Sequence, residues 1–90
     1  MMLVSYDIAD DKLRTRFSKY LKKYGYRVQY SIFAIKNSTR ILELIKSDIE
    51  VKFSKHFGET DSIMIFEVDD KKIISYGYAA HEDQDLVIVT

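Results

Sequence analysis

The chain has 90 residues, zero formal net charge and 47% hydrophobic residues, including seven Tyr and five Phe, which is typical of one small globular domain rather than a disordered chain. No apolar run approaches the roughly 20 residues that span a bilayer, and the first residues lack the basic region and cleavage site of a signal peptide. The chain has no cysteine, which excludes a disulfide framework and a thiolate nucleophile, and together these features predict a cytoplasmic protein without a membrane contact.

The neutral total hides a strong charge asymmetry along the sequence. Residues 1–36 contain eight Lys or Arg against three Asp, a formal charge of +5, and residues 37–90 contain six Lys or Arg against eleven Asp or Glu, a charge of −5. Between Lys12 and Arg27 there are seven cations and no acid. Because a polyanion responds to the local field, nucleic acid is a candidate partner.

The first two predicted elements are a strand over residues 2–8 and a helix over residues 11–24. Alternation places Tyr6 on one face of the strand and Asp7 on the other. The helix is predicted from apolar residues at helical spacing, namely Leu13, Phe17, Tyr20, Leu21 and Tyr24. Asp10 or Asp11 can cap its N-terminus, and Gly25 suits the position just past its end.

Four further elements follow. Residues 26–36 are extended and form either one bent strand or two strands with a turn near Tyr30–Ser31. A second helix is predicted over about residues 39–56, capped by Asn37 or Ser38, from its stripe of Ile41, Ile45, Ile49, Phe53 and His56. Residues 62–68 are apolar on both faces, as expected of a central strand. Short strands are predicted at residues 73–78 and 86–89.

This order of elements predicts an α+β fold of the ferredoxin-like, split βαβ type, with an antiparallel sheet and both helices on one face. We expect residues 1–78 to form this domain and residues 79–90 to form a connector and a short strand that pairs with a partner protomer. The second face of the sheet would be bare, and an uncovered apolar face on so small a domain usually marks an interface. We therefore expect a two-fold homodimer.

Asp7 has two interpretations. In the structural one it ends the strand and caps a turn. In the functional one it is a ligand for a hard cation such as Mg²⁺, which proteins hold with one or two carboxylates, waters and substrate phosphate oxygens. A two-fold axis near this strand end would supply the second carboxylate, and the metal could then act at a phosphodiester.

The basic face of the first helix also has two interpretations. It is either a solvated surface or a surface that follows a nucleic-acid backbone, and the absence of interspersed acids favours the second. Arginine makes bidentate contacts with phosphate. Tyr6, Phe33 and the tyrosines near Arg27 could stack on bases, although most aromatic residues of so small a domain belong to its core.

Other chemistries lack a pattern in the sequence. His56 lies on an apolar helix face and His81 lies in a loop among acids, and their separation is not a metal-ligand spacing. Three glycines, at positions 25, 58 and 77, do not form a glycine-rich phosphate loop.

The segment YDIADDKLRTRFSKYLKKYGYRVQYSIF, residues 6–33, resembles the opening of the small CRISPR-associated Cas-two family, whose members accompany the CRISPR integrase in spacer acquisition. The family pattern is Tyr-Asp-Ile at a strand end, an Asp-rich turn, a basic helix, Tyr-Gly, and a strand with Arg-Val-Gln-x-Ser-aliphatic-Phe. All of these parts are present over about a third of the chain. The combined motif is specific, whereas no single part of it is.

The resemblance implies a ferredoxin-like homodimer whose C-terminal strand reaches the partner, and a Mg²⁺-dependent endonuclease that acts on RNA or double-stranded DNA. It places the metal ligand at Asp7 and a second catalytic residue at Tyr6. The nucleic-acid-binding positions that it implies are Arg14, Arg16, Arg27 and Phe33. The position after Phe33 is often acidic in the family and is Ala34 here, which removes a charge near the expected dimer interface.

Three functions are compatible with these residues. The first is an active metal-dependent endonuclease. The second is a non-catalytic scaffold that bridges integrase subunits and holds DNA along its basic faces. The third is a related toxin-type ribonuclease outside any CRISPR locus.

Overall fold

The computed structural model describes residues 1–77 and the backbone of residues 87–89. The elements in chain order are β1 (Met2–Asp7), α1 (Asp11–Leu21), β2 (Gly25–Gln29), β3 (Ile32–Ile35), α2 (Thr39–Asp48), β4 (Ser62–Glu67), β5 (Ile74–Tyr76) and β6 (Val87–Val89). A π-helical turn, Ile49–Phe53, and a 3₁₀ turn, Ser54–His56, extend α2, and Asp70–Lys72 forms another 3₁₀ turn. Most of the predicted C-terminal connector, including His81, lies outside the described residues.

Four strands form an antiparallel sheet in the order β2-β3-β1-β4. Since β1 and β2 flank β3 and are joined through α1, this is the split βαβ arrangement. The predicted α+β, ferredoxin-like fold is confirmed. None of the helices in the described part of the chain is long and apolar enough to cross a membrane.

Strand register assigns each residue of β1 to one face of the sheet. Val4 lies opposite Phe33 on β3 and Ile65 on β4, and this face packs under the helices. Leu3 lies opposite Ala34 and Phe66, so these residues share the other face.

The core lies between the helices and the first of these faces. Its buried apolar side chains come from β1 (Met2, Val4, Tyr6, with Ile8 just beyond), α1 (Leu13, Phe17, Tyr20, Leu21), β3 (Phe33, Ile35), α2 (Ile45) and the π-helical turn (Phe53). Each fully buried large side chain contributes about 1.5–3 kcal/mol. The predicted helical stripes therefore identified the core side of both helices, except that His56 is exposed at the helix end.

Both helices begin at capping residues that the sequence indicated. The carboxylate of Asp10 accepts the main-chain N–H of Leu13 at 2.8 Å. The hydroxyl of Ser38 accepts the main-chain N–H of Ile41 at 3.3 Å. Each bond satisfies an N–H that the first turn of a helix leaves without a partner.

The expected role of Gly25 as a helix terminator is wrong. Helix α1 ends at Leu21 and Gly25 begins β2, with a backbone that is not left-handed. A Cβ atom on Gly25 would lie 1.9 Å from the carbonyl oxygen of Ala34. Glycine is therefore required here by the close approach of two strands.

The extended segment 26–36 forms two strands rather than one. They are joined at Tyr30–Ser31, the position where the sequence predicted a turn. The register between β2 and β3 shifts between Arg27 and Gln29, which marks a bulge.

Strand β4 is an edge strand of the described sheet, so the prediction of a central strand is wrong. It is apolar on both faces because one face contributes Ile63 and Ile65 to the core, while the other carries the exposed Met64 and Phe66. Strands β5 and β6 pair in parallel with each other within the chain. The expected pairing of the C-terminal strand with a partner protomer stays a prediction.

Candidate functional site

Asp7 is the last residue of β1 and lies opposite Ser62 of β4. It is exposed, whereas its neighbours Tyr6 and Ile8 are buried under the helices. Within residues 1–77 its carboxylate forms no hydrogen bond or ion pair. The strand therefore ends with an unneutralised carboxylate on the sheet face that points away from α1 and α2.

This open sheet face is apolar beside Asp7. Met64 lies opposite Ser5 and is 55% exposed, and Phe66 lies opposite Leu3 and is 43% exposed. No helix of the described chain packs on this face. Large apolar side chains at this degree of exposure are typical of a surface that another chain covers.

The described part of one chain does not supply a complete metal site. The described residues contain no group of three His, Cys, Asp or Glu that could hold a metal ion. The two acids nearest in sequence have other partners, because Asp10 caps α1 and Asp11 pairs with Arg14. Of the three acids at this end of β1, Asp7 is therefore the one without a hydrogen-bond or ion-pair partner among the described residues.

Asp61 fixes the loop that follows Asp7. One carboxylate oxygen of Asp61 accepts the main-chain N–H of Ala9 at 2.9 Å, and the other accepts the N–H of Gly58 at 2.8 Å. These two bonds lower the pKa of Asp61, the bond from Ala9 being the larger cause. The carboxylate therefore ties the β1–α1 loop to the loop before β4.

Tyr6 and Phe33 lie inside the protein. Tyr6 is 3% exposed and Phe33 is 0% exposed, and their ring centroids are 6.3 Å apart. A stacked base would need an exposed ring face, which Phe33 does not offer, and its expected role in nucleic-acid binding stays a prediction. The same burial excludes base stacking by Tyr6, while its hydroxyl lies 3.5 Å from a guanidinium nitrogen of Arg27.

Arg27 is held in place by its neighbours. Its guanidinium carbon lies 4.9 Å from the centroid of the Phe33 ring, and one of its nitrogens donates to the main-chain carbonyl of Tyr30. Arginine stacks readily on an aromatic face. The Phe33 ring thus helps to hold the guanidinium of Arg27, a candidate phosphate-binding group, in place.

Arg14 stabilises the β1–α1 loop. Its guanidinium donates to the carbonyls of Ile8 at 2.9 Å and Ala9 at 3.3 Å, and it forms an ion pair with Asp11. The hydrogen bond with Asp11 is the main reason that the pKa of Arg14 is raised, and Tyr30 adds to the effect. Arg14 thus organises the segment that follows Asp7, and it also lies near Tyr30.

Arg16 lies on the exposed side of α1 and reaches the end of the second helical segment. It donates to the main-chain carbonyl of Lys52 at 3.3 Å, and its guanidinium carbon lies 5.5 Å from the Phe53 ring centroid. These contacts hold its charge at the protein surface.

The rest of the basic face is exposed. Its lysines are Lys12, Lys19, Lys22 and Lys23. None of them forms an ion pair with a residue of the described chain. A row of unneutralised cations along α1 and the turn that follows it is the electrostatic surface that a phosphate backbone requires.

The sequence did not reveal Asp61 as part of this region. The three-residue spacing of Gly58 and Asp61 fits a turn closed by an aspartate side chain, and this spacing was the one indication of the role of Asp61 in the sequence. The bond to Ala9 spans 52 positions, and a contact of that separation depends on the tertiary fold. Tyr30 was predicted as a turn residue and, among the tyrosines near Arg27, as a candidate for stacking.

Comparison with known proteins identifies the family to which the chain belongs. The family model described as CRISPR associated protein Cas2 matches residues 1–74. The chain belongs to the Cas2 family. The resemblance of residues 6–33 to this family is thereby confirmed.

Two archaeal relatives align with the Cas2 chain over nearly its whole length. The Nanoarchaeum equitans protein named CRISPR-associated endoribonuclease Cas2 is 31% identical over 96% of this chain and 89% of its own length. The Methanospirillum hungatei protein named CRISPR-associated endoribonuclease Cas2 2 is 28% identical over 97% of both chains. A Chloroflexus aurantiacus protein named CRISPR-associated endoribonuclease Cas2 3 is 61% identical, but over 34% of this chain and 33% of its own.

The fold also agrees with a solved structure. The crystal structure of a hypothetical protein from Thermus thermophilus aligns with a TM-score of 0.65 and 33% identity, covering 74% of this chain and 78% of that chain. The ferredoxin-like arrangement of this Cas2 protein is therefore shared with an experimentally determined relative.

Proposed function

We propose that two copies of this chain form a Mg²⁺-dependent endonuclease that cuts the phosphodiester backbone of RNA or double-stranded DNA. The observation that carries this proposal is the position of Asp7, an exposed carboxylate on the same sheet face as Met64 and Phe66. If a second copy covers that face around a two-fold axis near the end of β1, the two Asp7 carboxylates lie close together.

Two carboxylates, waters and phosphate oxygens are the ligand set that Mg²⁺ takes. Magnesium held there would neutralise charge at the scissile phosphate and activate water. The chain itself would hold the loop after Asp7 through Asp61 and Arg14. It would position the nucleic-acid backbone along the lysines of α1 and of the turn after it. The relatives from Nanoarchaeum equitans and Methanospirillum hungatei are named endoribonucleases, which supports nuclease activity.

We propose a scaffold role as the second candidate function. The unneutralised lysines of α1 and of the turn after it could bind DNA whether or not Asp7 is catalytic. In this role the dimer would contact the CRISPR integrase during spacer acquisition, the partner implied by the family resemblance.

The decisive experiment compares Asp7→Asn with the wild-type protein in cleavage of labelled RNA and duplex DNA, with Mg²⁺ and with EDTA. Glu59→Gln is the matched control, since it also removes an exposed acid but from the loop before β4. We expect the Asp7 variant to lose cleavage by at least about a hundredfold while Glu59→Gln keeps it. Equal cleavage by Asp7→Asn, or cleavage that is unchanged in EDTA, would reject the magnesium nuclease.

Binding to duplex DNA tests the basic face separately. The affinity should fall steeply as the salt concentration rises, because bound phosphates release counterions. Charge-removing substitutions at Lys19 and Lys22 should reduce the slope of log affinity against log salt by about one for each lysine that contacts a phosphate. A flat salt response would remove the backbone-binding argument and the scaffold role with it.

A further inference from the structure

The strand pairing between β1 and β4 ends at Asp7. Its partner is Ser62, the first residue of β4, and the residues that follow Asp7, Ile8 and Ala9, lie beyond the strand. The ends of an element open more readily than its centre. How firmly the Asp7 carboxylate is held therefore depends on what fixes the two residues after it.

Asp61 extends the hydrogen bonding between the two segments beyond this last strand pair. Its Oδ1 atom accepts the main-chain N–H of Ala9 at 2.9 Å. Ser62, which pairs with Asp7, directly follows Asp61 in the chain. Two consecutive residues of one segment thus hold the other segment at Asp7 and again two residues later, so the backbone at Asp7 is fixed on both sides.

The Asp61 carboxylate is itself held in one orientation by a turn. Its Oδ2 atom accepts the main-chain N–H of Gly58 at 2.8 Å, and the main-chain N–H of Asp61 donates to the Gly58 carbonyl at 3.2 Å. Paired bonds of this kind fix an aspartate side chain against its own backbone. Oδ1 is therefore directed at Ala9 by a local structure.

The segment after Asp7 is also held from its carbonyl side. Arg14 donates to the carbonyl of Ile8 at 2.9 Å and to that of Ala9 at 3.3 Å, and the Ile8 side chain is 3% exposed in the core. Asp61 provides the contact on the N–H side. An exposed carboxylate on a backbone held in this way has the preorganisation that a metal ligand requires.

We propose that Asp61 is a positioning residue of the candidate metal site, and that its bond to Ala9 holds Asp7 in place to bind a divalent cation. This inference rests on the proposed function, since it takes Asp7 as the metal ligand. Asp61 acts through the backbone, because both of its oxygens accept main-chain N–H groups. Loss of a residue that orients a metal ligand typically lowers metal affinity about 10–100-fold.

The test measures binding of Mn²⁺ by electron paramagnetic resonance, with the full chain at neutral pH and without nucleic acid. Mn²⁺ takes the same oxygen ligands as Mg²⁺. Asp61→Asn keeps one acceptor oxygen and Asp61→Ala keeps none, so the affinity should fall in that order, by about tenfold or more for Asp61→Ala. Asp7→Asn, which alters the ligand itself, should lower the affinity further.

Three controls separate positioning from charge and from general destabilisation. Glu59→Gln removes an exposed acid two residues from Asp61 and should keep the Mn²⁺ affinity. Tyr20→Phe removes a hydrogen bond to Asp48 between the helices; it should lower stability and keep the affinity. The ratio of the wild-type and Asp61→Ala affinities should persist in about 1 M salt, where the screening length of about 3 Å suppresses distant charge effects.

Hydrogen exchange of the metal-free protein gives a second readout that does not involve the cation. The Ala9 amide should exchange faster in Asp61→Ala than in the wild type, because its acceptor is lost and this segment can open locally. In Tyr20→Phe the same amide should keep its protection against local opening. An Ala9 amide that exchanges at the wild-type rate in Asp61→Ala would contradict the bond on which the proposal rests.

The proposal is overturned if both Asp61 variants bind Mn²⁺ like the wild type, or if Tyr20→Phe weakens binding as much as they do. Its failure is distinguishable from failure of the nuclease. If Asp7→Asn loses Mn²⁺ binding and cleavage while the Asp61 variants keep both, the nuclease stands and the positioning role falls. If the Asp7 and Asp61 variants lose Mn²⁺ binding but the wild-type protein cleaves no nucleic acid, the positioning role stands and the nuclease falls.

Discussion

The main-chain N–H of Ala9 and the carboxylate of Asp61 are joined by a hydrogen bond of 2.9 Å across 52 positions of the sequence. Ala9 lies two residues beyond Asp7, so Asp61 anchors the loop that begins directly after this candidate metal ligand. The bond also depresses the pKa of Asp61 below its ordinary value of 3.8. A carboxyl group with a depressed folded pKa stabilises the folded state above its ordinary pKa, and that contribution is lost as the pH falls through the folded value.

We expect Asp61→Asn to lower the stability of the protein at neutral pH. Asparagine keeps one acceptor oxygen, so either the Ala9 or the Gly58 N–H loses its partner. Urea denaturation at pH 7 should show a lower midpoint for the variant. At a pH below the folded pKa of Asp61 the difference should shrink, because the wild-type carboxyl is then protonated as well.

Glu59→Gln is the control for this experiment, because it removes the same charge two residues away. Glu59 is exposed, and among the described residues it has no hydrogen bond or ion pair. Its midpoint should match the wild type at both pH values. A difference between wild type and Asp61→Asn that does not depend on pH would contradict the assignment.

Gly25→Ala should destabilise the protein because a Cβ atom would lie 1.9 Å from the Ala34 carbonyl oxygen. That oxygen belongs to the backbone of the neighbouring strand, so β2 or β3 has to move. We expect a loss at or above the upper end of the usual overpacking cost of about 1–3 kcal/mol. The free energy of unfolding from urea titration measures it.

Gly58→Ala tests whether this loss is specific to the strand contact. The nearest atom to a Cβ on Gly58 is 3.6 Å away, an ordinary contact. Its effect should stay within about 0.5 kcal/mol, as for most surface substitutions. Similar losses from both glycines would mean that the strand contact at Gly25 is not the cause.

The periodicity of the sequence predicted much of the fold because it reports burial directly. The stripe of α1 contains Leu13, Phe17 and Leu21, all of which are buried. Periodicity does not report sheet order, so β4 was predicted as a central strand although it is an edge strand. One face of β4 packs under the helices and the other is not covered by a helix, yet both faces are apolar. The sequence pattern alone does not distinguish a covered apolar face from an uncovered one.

The candidate site was predicted less completely, because its residues have partners distant in sequence. Asp7 was predicted on the face opposite Tyr6, and it lies there. The burial of Phe33 and the contact of Arg27 with its ring depend on how two strands meet beneath α1. A motif reveals that such residues occur together, but it does not separate a residue that touches the ligand from one that supports its neighbour.

Tyr20→Phe should destabilise the protein at neutral pH. The Tyr20 hydroxyl donates to the carboxylate of Asp48 at 2.6 Å, and a hydrogen bond to a charged group contributes about 1.5–3 kcal/mol. Burial, followed by this bond, raises the pKa of Tyr20. The contribution is therefore complete below the ordinary tyrosine pKa of 10.0 and declines above it.

The Tyr20→Phe deficit should accordingly become smaller in urea denaturation above pH 10 than at pH 7. Tyr76→Phe is the matched control, since its hydroxyl has no hydrogen bond within the described part of the chain. That variant should unfold like the wild type at pH 7. A Tyr20→Phe deficit that stays constant or grows at high pH would contradict the stated role of the hydroxyl.

Phe66→Glu should convert the proposed dimer into monomers. Phe66 is 43% exposed on the same sheet face as Asp7, so a second copy covering that face would bury the new carboxylate without a partner, which is costly. Val51→Glu is the control, because Val51 is more exposed, at 62%, but lies on the helical layer at the opposite side of the sheet. Sedimentation velocity should give a dimer for the wild type and for Val51→Glu, and a monomer for Phe66→Glu.

Cleavage should fall with the dimer, because a monomer brings one Asp7 to the phosphate instead of two. Cleavage at the wild-type rate by a Phe66→Glu monomer would mean that the second carboxylate is not needed, and a wild-type protein that sediments as a monomer would remove the shared metal site altogether.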